Sequence, residues 1–179
     1  MFITMETEIS YTVAAVAERL KPGSDAREQH RVLRWLQNST TSGLLRPIGG
    51  KHGGRGVHRR YSDDEVRKAA VLLMLSEIDL PGRQLESVAE WFDDVLSVHG
   101  DTVPGGGRGR QWHGPKAMKK LRDSRRLWDA ARSGRVVHLS MTVLRDGTFD
   151  LRLTKASPSE FGTKMTIVIN LARVFGDLG

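Results

Sequence analysis

The 179-residue chain contains no cysteine. This absence excludes disulfide bonds, thiolate metal sites and cysteine nucleophiles, and it predicts a cytoplasmic protein. Long apolar runs are also missing, since none approaches the ~18 residues that a membrane-spanning helix needs. The segment Met1–Glu6 lacks the basic and apolar regions of a secretory signal. We therefore expect no membrane partner.

Patterns that bind metals or cofactors are absent too. The six histidines have neither HxxxH nor HExxH spacing, so we expect no metal site. The glycines at 105–107 are not followed by Lys-Ser/Thr, which excludes a phosphate-binding loop of that type. No nucleophile and base stand in a catalytic pattern. The sequence thus predicts a protein without cofactors that is not an enzyme.

Positive charge is unevenly distributed along the chain. Lys and Arg number 28 against 21 Asp and Glu, giving a net charge of +7 and a pI near 10.1. Residues 1–95 carry 13 basic and 14 acidic side chains, 96–135 carry 10 and 3, and 136–179 carry 5 and 4. The whole excess belongs to the middle segment. A basic excess of this kind favours nucleic acid as the partner.

A glycine-rich stretch predicts the domain organisation. Four of the five residues at 105–109 are glycine, and such a run holds neither helix nor strand. We therefore predict an N-terminal tail at 1–9, a first domain at 10–97, a flexible linker at 98–115 and a second module at 116–179.

The sequence of the first domain predicts four helices and a β-hairpin. Thr12 is the predicted N-cap of a helix ending at Leu20, and Asp25 with Glu28 opens a second helix through Gln37. Extended arms on either side of the glycine-rich loop at 48–61 predict a β-hairpin wing. A capping box at 62–65 opens the third helix, and an apolar stripe at 84–96 predicts the fourth.

The second module changes its apolar period from 3.6 to 2. A basic helix at 116–132 precedes two alternating strands at 137–143 and 149–153, with Asp146-Gly147 as the hairpin turn. A third strand is predicted at 165–169. The fold class is thus mainly α with an α+β C-terminal part, containing a three-stranded antiparallel sheet. Its own helix or a second subunit must cover the apolar face of that sheet.

The first domain resembles the DNA-binding domain of MerR-type transcription regulators over about residues 10–95. The resemblance is carried by Tyr11-Thr12-Val13, Leu33-Arg34-Trp35, 43–47 (GLLRP), 59–66 (RRYSDDEV) and Leu80-Pro81-Gly82. It implies a winged helix-turn-helix, a homodimer on palindromic double-stranded DNA, and RNA polymerase as a further candidate partner. It also implies a nucleoid-associated location.

The candidate DNA contacts lie on the second helix and the wing. The resemblance implies phosphate contacts by Arg34, Trp35 and Arg59, while exposed arginines on a helix suit both phosphates and guanine. The full set is Arg27, His30, Arg31, Arg34, Trp35, Lys51, Arg55, His58, Arg59, Arg60 and Tyr61. The alternative is ordinary solvated surface charge.

Secondary DNA contacts are a further option in the basic middle segment. Arg108-Gly109-Arg110 is similar to the core of an AT-hook, although it also fits a plain linker. Lys119 and Lys120 belong to a basic helix that either binds phosphates or faces solvent.

The functional prediction is a sequence-specific transcription regulator. The alternatives are an architectural, excision or replication-control DNA-binding protein of phage or plasmid type, and a protein-interaction module with secondary DNA binding. Effector binding in the second module is a third alternative.

Overall fold

The computed structural model describes residues 9–48, 58–98, 115–144, 149–155 and 166–178. It contains both helices and sheets, and none of its described helices is long and apolar enough to cross a membrane. Two small antiparallel sheets are present in this part of the chain, ordered β1-β2 and β4-β3-β5. The elements are β1 (Ser10–Thr12), α1 (Val13–Leu20), α2 (Ala26–Ser42), β2 (Arg60–Ser62), α3 (Asp63–Glu77), α4 (Gly82–Leu96), α5 (Pro115–Arg132), β3 (His138–Val143), β4 (Phe149–Thr154), β5 (Thr166–Asn170) and α6 (Leu171–Gly176).

Helices α1 and α2 begin at the predicted N-caps. The Thr12 hydroxyl accepts the N–H of Ala15 at 3.2 Å, and the Asp25 carboxylate accepts the N–H of Glu28 at 2.8 Å. These bonds satisfy backbone donors that the first helical turn leaves without partners.

Helix α2 continues past the predicted end at Gln37, to Ser42. Its last turns bury the side chains of Ser39 and Thr40, which are polar, so apolar periodicity does not mark them. Gly43 then ends the helix at a φ of +90°, a left-handed conformation that glycine adopts without strain.

Strand β1 was not predicted. Residues 10–12 pair with β2, with Tyr11 opposite Tyr61. Three residues are too short for an alternating pattern to be recognised. The predicted arms of the wing pair at one point, where the Ile48 N–H donates to the Arg60 carbonyl at 2.7 Å. The tip of the wing, 49–57, lies outside the described residues.

The predicted elements of the second module are confirmed. Helix α5 spans Pro115–Arg132, and the three strands form an antiparallel sheet with β3 in the centre. Met141 of β3 lies opposite Leu151 on one side and Ile167 on the other. Helices α5 and α6 pack on this sheet, so the chain's own helices provide cover for it. The predicted turn at Asp146-Gly147 lies outside the described residues.

The structure divides the chain within α3 and not in the glycine-rich stretch. Contacts group it into a first unit, Met1–Ala70, and a second unit, Val71–Gly179. Helix α4 belongs to the second unit, because its Phe92 packs edge-on against Trp128 of α5, with ring centroids 5.1 Å apart. The sequence suggested a boundary at 98–115 because glycine is concentrated there. Glycine content does not indicate which helix covers the apolar face of α4. Residues 99–114 lie outside the described part.

Candidate nucleic-acid interface

One face of α2 carries four exposed basic or imidazole side chains. They follow helical spacing of three and four residues, so they lie along a single face. The opposite side of the helix buries Val32 and Leu36 completely. The face consists of Arg27, His30, Arg31 and Arg34 and is called the α2 basic face below.

A glutamine holds α2 in position against α1. The Gln29 side-chain amide donates to the Glu18 carboxylate at 2.9 Å and to the Lys21 carbonyl at 3.0 Å. Glu18 in turn accepts the N–H of Gly23 at 3.3 Å, within the turn between the helices. Neither Glu18 nor Gln29 stands in a pattern that predicts binding, and no spacing in the sequence indicates that the two side chains meet. These bonds fix the orientation in which α2 presents its basic face.

Charge on the α2 basic face is only partly balanced. Arg31 forms a two-pronged ion pair with Glu28, at 2.6 and 2.8 Å, and its hydrogen bonds hold the pKa of Glu28 below the usual range. No described carboxylate pairs with Arg27 or Arg34. These two guanidinium groups are therefore available to an external anion, and Arg31 less so.

The second group of predicted contacts lies at β2. His58 and Arg60 are exposed and Arg59 is half-buried. Arg60 is anchored to β1, since its Nε donates to the Ser10 hydroxyl at 2.8 Å. Lys51 and Arg55 lie outside the described residues. Trp35, on α2, is half-buried.

Tyr61 does not belong to the exposed surface, in contrast to its place among the predicted contacts. It is 1% exposed, and its hydroxyl lies 2.7 Å from that of Thr40. Because Thr40 uses its own proton on the Leu36 carbonyl at 2.8 Å, the tyrosine must be the donor in this bond. Tyr61 therefore connects β2 to α2 inside the first unit. A polar tyrosine beside two arginines suggested surface, and only the fold shows that the strand turns this side chain inward.

A buried ion pair fixes the start of α3. The Ser62 hydroxyl accepts the Glu65 N–H at 3.3 Å, as the predicted capping box requires. The Glu65 carboxylate accepts the backbone N–H of Arg46 at 2.7 Å and pairs with Lys68 at 3.2 Å. Lys68 is fully buried, a position that its charge alone would not predict. Together they attach the segment before the wing to α3.

The secondary contact residues are only partly described. Arg108 and Arg110 lie outside the described residues, whereas Lys119 and Lys120 are exposed on α5. Lys120 forms an ion pair with Asp150 of β4 at 3.5 Å. Over the described ranges, no group of three His, Asp or Glu side chains is arranged to hold a metal ion.

No protein-family model matches this chain, and no curated protein matches it.

Proposed function

We propose that this protein is a sequence-specific transcription regulator of MerR type, with a winged helix-turn-helix in the first half of the chain. In this proposal it binds double-stranded DNA as a homodimer, and RNA polymerase is a candidate further partner. The observation that carries the proposal is the α2 basic face, held against α1 by Gln29 and containing two guanidinium groups with no described carboxylate partner.

The α2 basic face suits the major groove of DNA. An α-helix fits that groove, and arginine is the side chain that most often reads guanine there. Arg34 lies at the centre of the helix and Arg27 near its first turn, so the two reach different positions along the duplex. The hydrogen bonds between α1 and α2 support base reading, because hydrogen bonds to base edges require a fixed approach of the helix.

The segment around β2 suits the phosphate backbone. Arg59 and Arg60 stand at the end of the glycine-rich loop, where β2 begins, and the Tyr61–Thr40 bond connects β2 to α2. Backbone contacts fix the register of a protein on DNA without reading sequence. In this proposal α2 therefore reads the DNA sequence, and the segment around β2 positions the protein on the DNA backbone.

The first test selects genomic DNA fragments with the purified full-length protein at physiological salt. We expect enrichment of a short palindromic sequence, which then serves as the probe for fluorescence anisotropy. A set of fragments with no shared sequence would contradict base-specific reading and would favour an architectural role.

Point variants then separate reading from positioning. Arg34→Ala is expected to weaken the binding free energy for the selected site by about 1–3 kcal/mol. Its binding to unrelated DNA should change little. Arg59→Ala is expected to weaken both DNAs equally and to reduce the salt slope by about 0.9, the value of one phosphate contact. Anisotropy titrations at several salt concentrations measure both effects.

Arg83→Ala is the matched control, because Arg83 is an exposed arginine of α4 with no described ion pair. It should leave affinity and salt slope unchanged. Equal losses in all three variants would show that only overall charge matters, which contradicts the assignment of the interface to α2 and β2.

A further inference from the structure

A groove in the second unit lies between α5 and β4. It encloses about 370 Å³. The α5 positions that line it follow one another at helical spacing, so a single face of the helix forms one wall. The lining residues are Lys116, Lys119, Lys120, Asp123, Ser124 and Leu127 of α5, with Arg152 and Leu153 of β4. The volume is that of a small-molecule site.

The groove carries an excess of positive charge. Lys120 and Arg152 both pair with Asp150, the lysine at 3.5 Å, so one carboxylate holds cations from both walls in place. Burial would raise the pKa of Asp150, but its bonds to Arg152 and Lys120 outweigh burial and lower it, so it remains ionised at neutral pH. Lys116 and Lys119 have no described carboxylate partner.

The interior of the groove differs from its rim. Ser124 is 6% exposed and lines the groove. A serine hydroxyl can donate a hydrogen bond to an acceptor that enters the groove. Leu127 and the buried Leu153 provide an apolar surface beside it.

We propose that this groove binds a small molecule that carries both a phosphate group and an apolar portion. Lysine ammonium groups and the Ser124 hydroxyl would bind the phosphate oxygens, while the two leucines contact the apolar portion. A DNA duplex would reach only the exposed lysines of the rim and would leave Ser124 and Leu153 unused. The groove and the α2 basic face share no residue, so the two proposals can fail separately.

The test is isothermal titration calorimetry of the full-length protein with three probes at physiological salt. The probes are ADP, octyl phosphate and inorganic phosphate, and the first two separate a nucleotide from an alkyl phosphate. We expect one of them to bind with a Kd at least ten-fold below that of inorganic phosphate. Lys119→Gln should raise this Kd about ten-fold, because a charge-assisted bond to phosphate is lost. Ser124→Ala should raise it several-fold.

Arg132→Gln is the control, since it removes an equal charge from the far end of the same helix, outside the groove. It should leave the Kd unchanged. No measurable binding of any probe, equal binding of all three, or equal effects of Lys119→Gln and Arg132→Gln would overturn the proposal. Binding of a DNA duplex alone, lost in Lys119→Gln, would also overturn it and assign these lysines to the DNA backbone.

Discussion

The side chains whose burial differs most from the sequence-based expectation are polar ones. Tyr61 and Lys68 both stand among charged residues in the sequence, yet both are fully enclosed. Each has a polar partner: the Tyr61 hydroxyl is hydrogen-bonded to Thr40, and Lys68 forms an ion pair with Glu65. Burial of a polar atom is tolerated only with such a partner, which makes these pairs sensitive points for substitution.

The Tyr61 hydroxyl bond can be tested by Tyr61→Phe. The change removes one donor and leaves Thr40 bonded to the Leu36 carbonyl. We expect a loss of about 1 kcal/mol in the free energy of unfolding, measured by urea denaturation, because no buried donor is left without a partner. DNA affinity should change little if the tyrosine only positions β2. Thr41→Ala, which alters an exposed hydroxyl on the same helix, should be close to neutral.

The Asp150 ion pairs make stability depend on pH. Since the pKa of Asp150 is lowered in the folded protein, its contribution is present above the ordinary aspartate pKa of about 3.9 and is lost as pH falls through the folded value. We expect Asp150→Asn to be less stable than the natural chain at pH 7. Urea denaturation should show this difference narrowing below about pH 4.

The comparison for Asp150 is Glu86→Gln, at an exposed carboxylate of α4 with no described ion pair. It should show little difference from the natural chain at either pH. A gap for Asp150→Asn that stays constant from pH 7 to pH 3 would mean that its ion pairs do not contribute to folding.

At the scale of elements, apolar stripes decide which helices pack together. The rings of Trp91, Phe92, Trp128 and Phe175 follow one another edge-to-face at 4.9–5.1 Å and connect α4, α5 and α6. Edge-to-face pairs add to the gain from apolar burial. Trp91 and Trp128 are 3% and 0% exposed, so both belong to the core.

Phe92→Ala tests this aromatic series. Phe92 is fully buried with an aromatic neighbour on each side, so truncation leaves a cavity and removes two ring contacts. We expect a loss of about 3–5 kcal/mol in the free energy of unfolding. Met74→Ala, at a methionine 37% exposed, should cost much less. Similar losses of unfolding free energy in the two variants would show that the aromatic ring contacts do not contribute to stability.

At the scale of the whole chain, the division falls within α3 and not where glycine is concentrated. A fragment ending at residue 97 would contain α4 without α5, and would leave the apolar face around Phe92 uncovered. Such a face promotes association between copies. The predicted first domain, 10–97, therefore cuts across the second unit.

We accordingly expect the 1–97 fragment to bind the dye ANS and to aggregate, while the full-length chain does neither. Dye fluorescence and analytical ultracentrifugation measure the two properties. A fragment that is monomeric and melts cooperatively would show that α4 needs no cover from α5. For this reason the DNA-binding tests above use point variants of the full-length protein.

The sequence by itself determined where three helices start and that the second module contains an antiparallel sheet, but it marked neither β1 nor the end of α2. Thr12, Asp25 and Ser62 predicted three helix starts, and the change of period after Arg132 predicted the antiparallel sheet, because capping and periodicity are local properties. Only the tertiary structure decided which side chains meet. The contact of Gln29 with Glu18, that of Tyr61 with Thr40, and the groove between α5 and β4 depend on packing between separate segments of the chain. No local pattern encodes such contacts. The glycines mark a break in regular structure, but the division of the chain follows from where apolar faces find cover.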